Sequence, residues 1–320
     1  MKLTATLRSA VAALTGLAIW ASAYADGYPS KPIHLIVPFP PGGAQDVLAR
    51  LIAEPLSAQL KQPVVVENRG GAAGNIGADV LARATPDGYT VGILSGVHTA
   101  NAAFYRKLNY QLDKDFVPVK ALGESAVVLA ANKSVPYHDA AQFLAYAKAH
   151  PGKIQVGSTT SLTLDLLKVQ TGLDIQLIPY KGIGEALQDL MGERVDVVAG
   201  PALQMLPLIK QHRIQAIGIA SARRVPELPG VGTVGDLVTG YDAGMWYGLF
   251  GPKGLPPDVA ATLSRDIAAI LNQPDVRARL AAQGIDVSFS STTTAQLTAR
   301  MQGEIAQWRH VAEKTGNYAN

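Results

Sequence analysis

Ile33-His34-Leu35-Ile36-Val37-Pro38-Phe39-Pro40-Pro41-Gly42-Gly43-Ala44-Gln45-Asp46-Val47-Leu48-Ala49-Arg50 carries the reading of the fold. The apolar run 33–39, rich in β-branched residues, reads as a buried strand. It ends in a Pro/Gly loop, and a helical pattern begins at once. From Asp46 to Leu60, Val47, Leu48, Leu51, Ile52, Leu56 and Leu60 share one helical face. Pro55 interrupts that face and is expected to kink or break the helix. A strand–glycine loop–helix unit offers free backbone N–H groups at a helix N-terminus, which suits a carboxylate or a phosphate.

Outward from this stretch the same grammar repeats. Val64–Glu67 is a short strand, Asn68–Gly74 a second glycine loop, 76–84 a helix, Pro86-Asp87-Gly88 a turn, and Tyr89–Leu94 a strand ending at Ser95-Gly96. Strands alternating with helices imply parallel pairing through right-handed crossovers. Further on, 126–131, 154–157, 175–179, 195–199 and 214–220 read as strands, with helices over 139–149, 162–171 and 185–191. The blocks 33–95 and 154–200 echo each other in structure rather than in sequence. In the tail, Val259, Leu263, Ile267, Ile270 and Leu271 mark one amphipathic helix, and Leu297, Met301, Ile305 and Trp308 another. The expected architecture is α/β, with two lobes, 26–125 plus 245–320 and 126–244. The chain crosses between them twice, and a ligand cleft lies where strand C-termini meet.

The N-terminus reads as a secretory signal over 1–25. Lys2 and Arg8 form its basic part, 10–21 its apolar part, and Ala23-Tyr24-Ala25 a small-x-small cleavage site before Asp26. The alternative, a membrane anchor, would need about 20 apolar residues. Removing Lys2 and Arg8 from 28 basic residues leaves 26 against 25 acids, so the mature chain carries a net charge of +1. That balance, the absence of a basic tract and the sparse aromatics argue against nucleic acid as a partner. There is no cysteine, hence no disulfide and no thiolate metal site.

Chemistry narrows next. The nucleophile-elbow pattern G-x-S-x-G is absent, and the histidines at 34, 98, 138, 150, 212 and 310 are scattered, with no H-x-x-x-H pair. Neither catalysis nor a bound cofactor or metal is indicated. The Pro41-Gly42-Gly43 loop lacks the spacing and the lysine of a phosphate loop, so a small carboxylate suits it better than a nucleotide. Gly42 and Gly43 alternatively form only a tight turn. Asp46 either caps the helix, accepts from a ligand ammonium or holds a water. His98 follows a strand end and either reaches the cleft or is a solvated loop residue. Ser158, Thr159, Thr160 and Ser161 offer four hydroxyls to a carboxylate, or cap the helix that starts at Leu162. Tyr180-Lys181-Gly182 offers a phenol, an ammonium and a free backbone turn, with Lys181 alternatively only solvated.

Several motifs, in order, carry a resemblance: Tyr28-Pro29-x-Lys31-Pro32-Ile33; Val37-Pro38-Phe39-Pro40-Pro41-Gly42-Gly43-x-x-Asp46 with Ala49-Arg50; Val66-Glu67-Asn68-Arg69-x-Gly71-Ala72-x-Gly74; Pro86-Asp87-Gly88-Tyr89-Thr90; Lys114-Asp115-Phe116; Pro179-Tyr180-Lys181-Gly182; and Trp246-Tyr247-Gly248-Leu249. With them the chain resembles the Bug receptors, the TctC-like extracytoplasmic solute-binding proteins of tripartite tricarboxylate transporters, over essentially all of its mature length. The resemblance implies a type II, Venus-flytrap binding protein in the periplasm. Its ligand would be a small organic carboxylate, held largely by backbone amides and waters. Phe39, Pro41, Gly42, Gly43, Ala44, Gln45 and Asp46 would contact it from the first lobe, where the strand end at Ser95 and His98, read from the residues themselves, adds two further expected contacts. The 158–161 loop and Tyr180, Lys181 and Gly182 would contact it from the second. The chain departs from the family where a histidine often follows the 157–164 loop, which here is more hydroxylated. The expected partners are integral-membrane permease subunits, and the expected state is a monomer. Two other roles fit the same clamshell: a sensor docking to a signalling membrane protein, and a periplasmic enzyme acting on a carboxylate.

Overall fold

Ile33, Leu35, Ile36 and Val37 are all buried, as a central strand covered on both faces requires. The computed structural model that shows this describes residues 27–180 and 182–319, so the signal segment 1–25, its cleavage site and Lys181 lie outside the described residues. The strands are β1 (Ile33–Val37), β2 (Val64–Asn68), β3 (Thr90–Ser95), β4 (Phe116–Ser125), β5 (Val127–Ala131), β6 (Gln155–Ser158), β7 (Gln176–Pro179), β8 (Val197–Pro201), β9 (Gln215–Ile219) and β10 (Met245–Pro252). The helices are α1 (Ala44–Leu60), α2 (Asn75–Ala82), α3 (Gly96–Phe104), α4 (Ala140–Ala149), α5 (Leu162–Thr171), α6 (Ile183–Met191), α7 (Ala202–Lys210), α8 (Pro257–Leu271), α9 (Pro274–Ala281) and α10 (Thr294–Thr315).

Two five-stranded mixed sheets result, ordered β2-β1-β3-β10-β4 and β7-β6-β8-β5-β9. In each, the first three strands of its block take the order second, first, third, which is the structural echo read in the sequence. Pairing is parallel within β1, β2 and β3 and within β6, β7 and β8. The expectation of parallel pairing fails for the rest. β10 runs antiparallel to β3 and β4, and β5 antiparallel to β8 and β9. These are the strands next to the crossings: the chain leaves the first sheet at Ser125, enters the second at Val127, and returns at Met245. A strand that arrives from the other sheet, rather than through a covering helix, is free to enter antiparallel.

Each sheet is covered on both faces. In the first, Leu48, Ile52 and Leu56 of α1 pack with Leu263 and Ile267 of α8. A separate cluster joins Leu81, Trp246 and Phe250 to Leu297, Met301 and Ile305 of α10. In the second, Phe143, Leu164 and Leu167 form one cluster and Leu187, Leu190 and Met205 another. Helix α10 belongs to both lobes, because its Trp308 and Val311 lie in the cluster of Leu164 and Leu167. Helix α1 is continuous through Pro55, contrary to the break considered from sequence. The proline forfeits one backbone hydrogen bond, while the buried Leu48, Ile52 and Leu56 hold both segments to the sheet. Among the described residues no helix is long and apolar enough to cross a membrane.

Candidate functional site

Helix α1 starts at Ala44, two residues before the expected start, with Gly43 extended at its N-cap and no side chain capping it. Gly42 stands at φ +85, a conformation that favours glycine, and Gly42, Gly43 and Ala44 are exposed. Among the described residues no acceptor meets the N–H groups of Gly43, Ala44 and Gln45. They form a cluster of open donors at the positive end of the helix.

Asp46 is therefore the third helical residue rather than the cap, and its buried carboxylate is fully engaged. Its Oδ2 accepts the Gly42 N–H at 2.9 Å, and its Oδ1 accepts Asn68 Nδ2 at 3.0 Å. Arg50 Nε donates to both oxygens at 3.0 Å. Asn68 Nδ2 also donates to Phe39 O at 3.0 Å, tying both ends of the loop. Burial works against the carboxylate, but the hydrogen bonds from Arg50, Gly42 and Asn68 outweigh it and hold its pKa below the usual range. Asp46 is a strut that ties the loop to α1 and to the end of β2.

A second layer lies beneath. Gln45 Nε2 donates to Ser95 Oγ at 2.8 Å, joining the starts of α1 and α3. The Ser95 N–H donates to His98 Nδ1 at 3.1 Å, which places the imidazole proton on Nε2. Ser95 and His98 are wholly buried, so His98 is not a solvated loop residue. Burial lowers its pKa to about 4 and leaves it neutral at pH 7. The Phe39 ring meets it edge-on with centroids 6.1 Å apart. Gly74, at φ +92, makes room for both: an added Cβ would lie 3.0 Å from His98 Nε2 and 3.0 Å from the Phe39 ring.

In the second lobe Ser158 is buried, and its Oγ donates to Ala199 O at 3.0 Å. That hydroxyl is spent on the sheet and is not a free donor. Thr159 and Thr160 are exposed and Ser161 is half-buried; Thr160 Oγ1 accepts the Leu162 N–H at 3.3 Å, the local capping contact of α5. The Tyr180 N–H donates to Ser158 O at 3.0 Å, and its hydroxyl donates to Asp189 Oδ2 at 2.7 Å. Burial, with that bond, pushes the phenol up to about 12. Gly182 is the extended N-cap of α6, again without a side-chain cap.

The expected residues thus form two sets, one around Phe39, Gly42, Gln45, Asp46, Ser95 and His98, the other around Ser158, Thr160 and Tyr180. No hydrogen bond among the described residues joins the two. Arg50, Asn68, Gly74 and Asp189 are supporting residues to which sequence reading gave no role, although three of them stand within the quoted motifs. The spacing G-x-G-x-x-G occurs at Gly230–Gly235, but it runs into a 3-10 turn at Val234–Asp236, not from a strand into a helix, so it lacks a dinucleotide setting. Among the described residues no group of His, Cys, Asp and Glu is arranged to hold a metal ion.

Residues 48–317 match the model of the tripartite tricarboxylate transporter family receptor. Protein BugT of Bordetella pertussis is 37% identical over 305 residues, covering 91% of each chain. The solved structure of R. palustris Rpa4515 with adipate is similar at 32% identity and a TM-score of 0.74, covering 90% of this chain and 98% of that one. MatC from Rhodopseudomonas palustris with bound malate is similar at 33% identity and a TM-score of 0.72, covering 89% and 99%.

Proposed function

The chain belongs to the tripartite tricarboxylate transporter receptor family, and from that premise we propose that it captures a small organic carboxylate between its lobes and presents it to integral-membrane permease subunits. The observation that carries this reading is the row of open N–H groups at Gly43, Ala44 and Gln45, braced by an Asp46 whose own oxygens are already occupied. Neutral backbone donors at a helix N-terminus suit a carboxylate, and no arginine is needed. Gly182, at the start of α6, offers a similar turn from the second lobe, with Thr159 and Thr160 beside it as exposed hydroxyls. Adipate and malate in similar proteins make dicarboxylates the first ligands to try. The lobes in this reading are 26–125 plus 245–320 and 126–244. Residues 1–25 direct export and are removed after Ala25, so capture takes place in the periplasm.

Thermal unfolding against a panel of mono- and dicarboxylates tests the reading. A ligand at about 100 times its Kd adds about 2.7 kcal/mol to stability and raises the melting temperature. Gly43→Val, which crowds the exposed donors, is expected to weaken that ligand about tenfold while leaving the fold intact. A panel in which no carboxylate raises the melting temperature, or equal affinity in Gly43→Val, overturns it. Recovery of the ligand chemically altered would instead show an enzyme.

A further inference from the structure

The two lobes face each other at a second place. A cavity of about 440 Å³ lies beside the crossing strands, and none of the expected ligand-contact residues lines it. The first lobe contributes Ile285 and Val287 and the second Leu206 and Val225, which together form an apolar wall. The lobes touch at its edge: Gly284, at φ +68, packs so closely on α7 that an added Cβ would lie 2.8 Å from Leu203 Cβ. They are also bound together by charge. Arg223 Nε meets Glu124 Oε1 at 2.6 Å, and Arg300 reaches Glu124 at 3.5 Å, Asp242 at 3.2 Å and Glu304 at 2.8 Å. Arg223 also approaches Asp286 at 3.6 Å, and Arg224 pairs with Asp236 at 2.8 Å.

Those pairs account for every charged lining residue except two. Arg277 on α9 and Glu227 after β9 have no side-chain hydrogen bond or ion pair among the described residues. One is a cation from the first lobe and the other an anion from the second, beside a shared apolar wall. The volume falls within the range of small-molecule sites, about 300–1,000 Å³, and such sites favour the junction of two domains. We propose that this cavity binds a small zwitterion with an apolar body, of the amino-acid class, its carboxylate on Arg277 and its ammonium on Glu227. A zwitterion offers each of these two exposed charges a partner at once, where a simple carboxylate or a simple amine offers only one. This site is separate from the carboxylate cleft and does not depend on it.

Calorimetry with L-leucine as probe tests the assignment. 4-Methylpentanoate lacks only the ammonium and 3-methylbutylamine only the carboxylate. Leucine is expected to bind, and each analogue to bind at least about tenfold more weakly. Arg277→Gln and Glu227→Gln, both at exposed positions, should each weaken leucine about tenfold with unchanged melting temperature. Gly43→Val, in the other cleft, should leave leucine binding as it was. No heat of binding up to millimolar leucine, or binding that is lost in Gly43→Val and kept in Arg277→Gln, overturns the proposal. The second of these outcomes would leave the carboxylate cleft as the leucine site.

Discussion

Asp46 accepts the N–H of Gly42, four residues earlier, at 2.9 Å, and so braces the loop that carries the open N–H groups of Gly43, Ala44 and Gln45. Removing the carboxylate strips partners from Gly42, Arg50 and Asn68 together. Asp46→Ala is expected to cost about 2 kcal/mol, most of it from leaving buried polar groups unpaired. Ligand affinity should fall with it, since a loosened loop must be reordered on binding. Asp46→Asn, which keeps the shape and loses the charge, should fall between. Urea unfolding with calorimetry on the same variants checks this. Full affinity in Asp46→Ala would mean that the loop needs no strut.

His98 gives the protein a pH dependence whose sign follows from its burial. Its folded pKa is about 4, against about 6.5 when unfolded, so between these values the unfolded chain binds more protons than the native one. The stability from keeping His98 neutral is present above pH 6.5 and is lost as pH falls towards 4, about 3 kcal/mol in all. His98→Gln, which can still accept from the Ser95 N–H, should remove most of the difference between unfolding free energies at pH 7 and pH 4.5. If the difference persists unchanged, another group is responsible.

Much of this was legible in sequence wherever a single strand and its own loop supply the signal. The strand read over 33–39 is present, two residues shorter, as Ile33–Val37 before its glycine loop, and Leu162–Thr171 with its polar lead-in stands as read. Strands β4 and β10 were not legible. Pro118 in β4, and Gly248, Gly251 and Pro252 in β10, interrupt the period of two, and β4 runs on into β5 with no helix between them to mark a crossover. The role of Asp46 was hidden for a different reason. Its partner Asn68 lies 22 residues on, at the end of β2, and only the parallel pairing of β1 with β2 brings it there. His98 read as a cleft contact or a solvated loop residue because what buries it is distant: the bare Cα of Gly74 and the ring of Phe39.

Gly74 is accordingly a sensitive position, packed against two of the expected ligand contacts, His98 and Phe39. Alanine there must take φ +92, and its methyl would press on His98 and Phe39 at 3.0 Å. Strain of this kind costs about 1–3 kcal/mol. Gly74→Ala should lower stability by that amount and shift the Phe39 ring. Gly316, also at positive φ but with nothing within 4 Å, serves as the control. Its alanine variant carries the backbone cost alone and should leave ligand affinity untouched. Equal affinity losses in the two variants would show that the crowding at Phe39 is irrelevant.

Helix α10 makes a different kind of claim. Leu297, Met301 and Ile305 are buried with Trp246 and Phe250 of the first lobe, while Trp308 and Val311, one and two turns on, are buried with Leu164 and Leu167 of the second. The Trp308 ring also lies 6.1 Å from that of Phe104. One helix therefore fastens two cores, and that fastening is expected to make them unfold together. Trp308→Ala should cost about 3 kcal/mol for the buried ring. It should also split urea unfolding into two transitions, because the second core loses its share of the common helix while the first keeps its own. Met301→Ala, on the first-lobe stretch of the same helix, should destabilise without that split, since Trp308 and Val311 still join the cores. A single cooperative transition in Trp308→Ala, with the same slope as wild type, would show that the crossing strands alone couple the lobes.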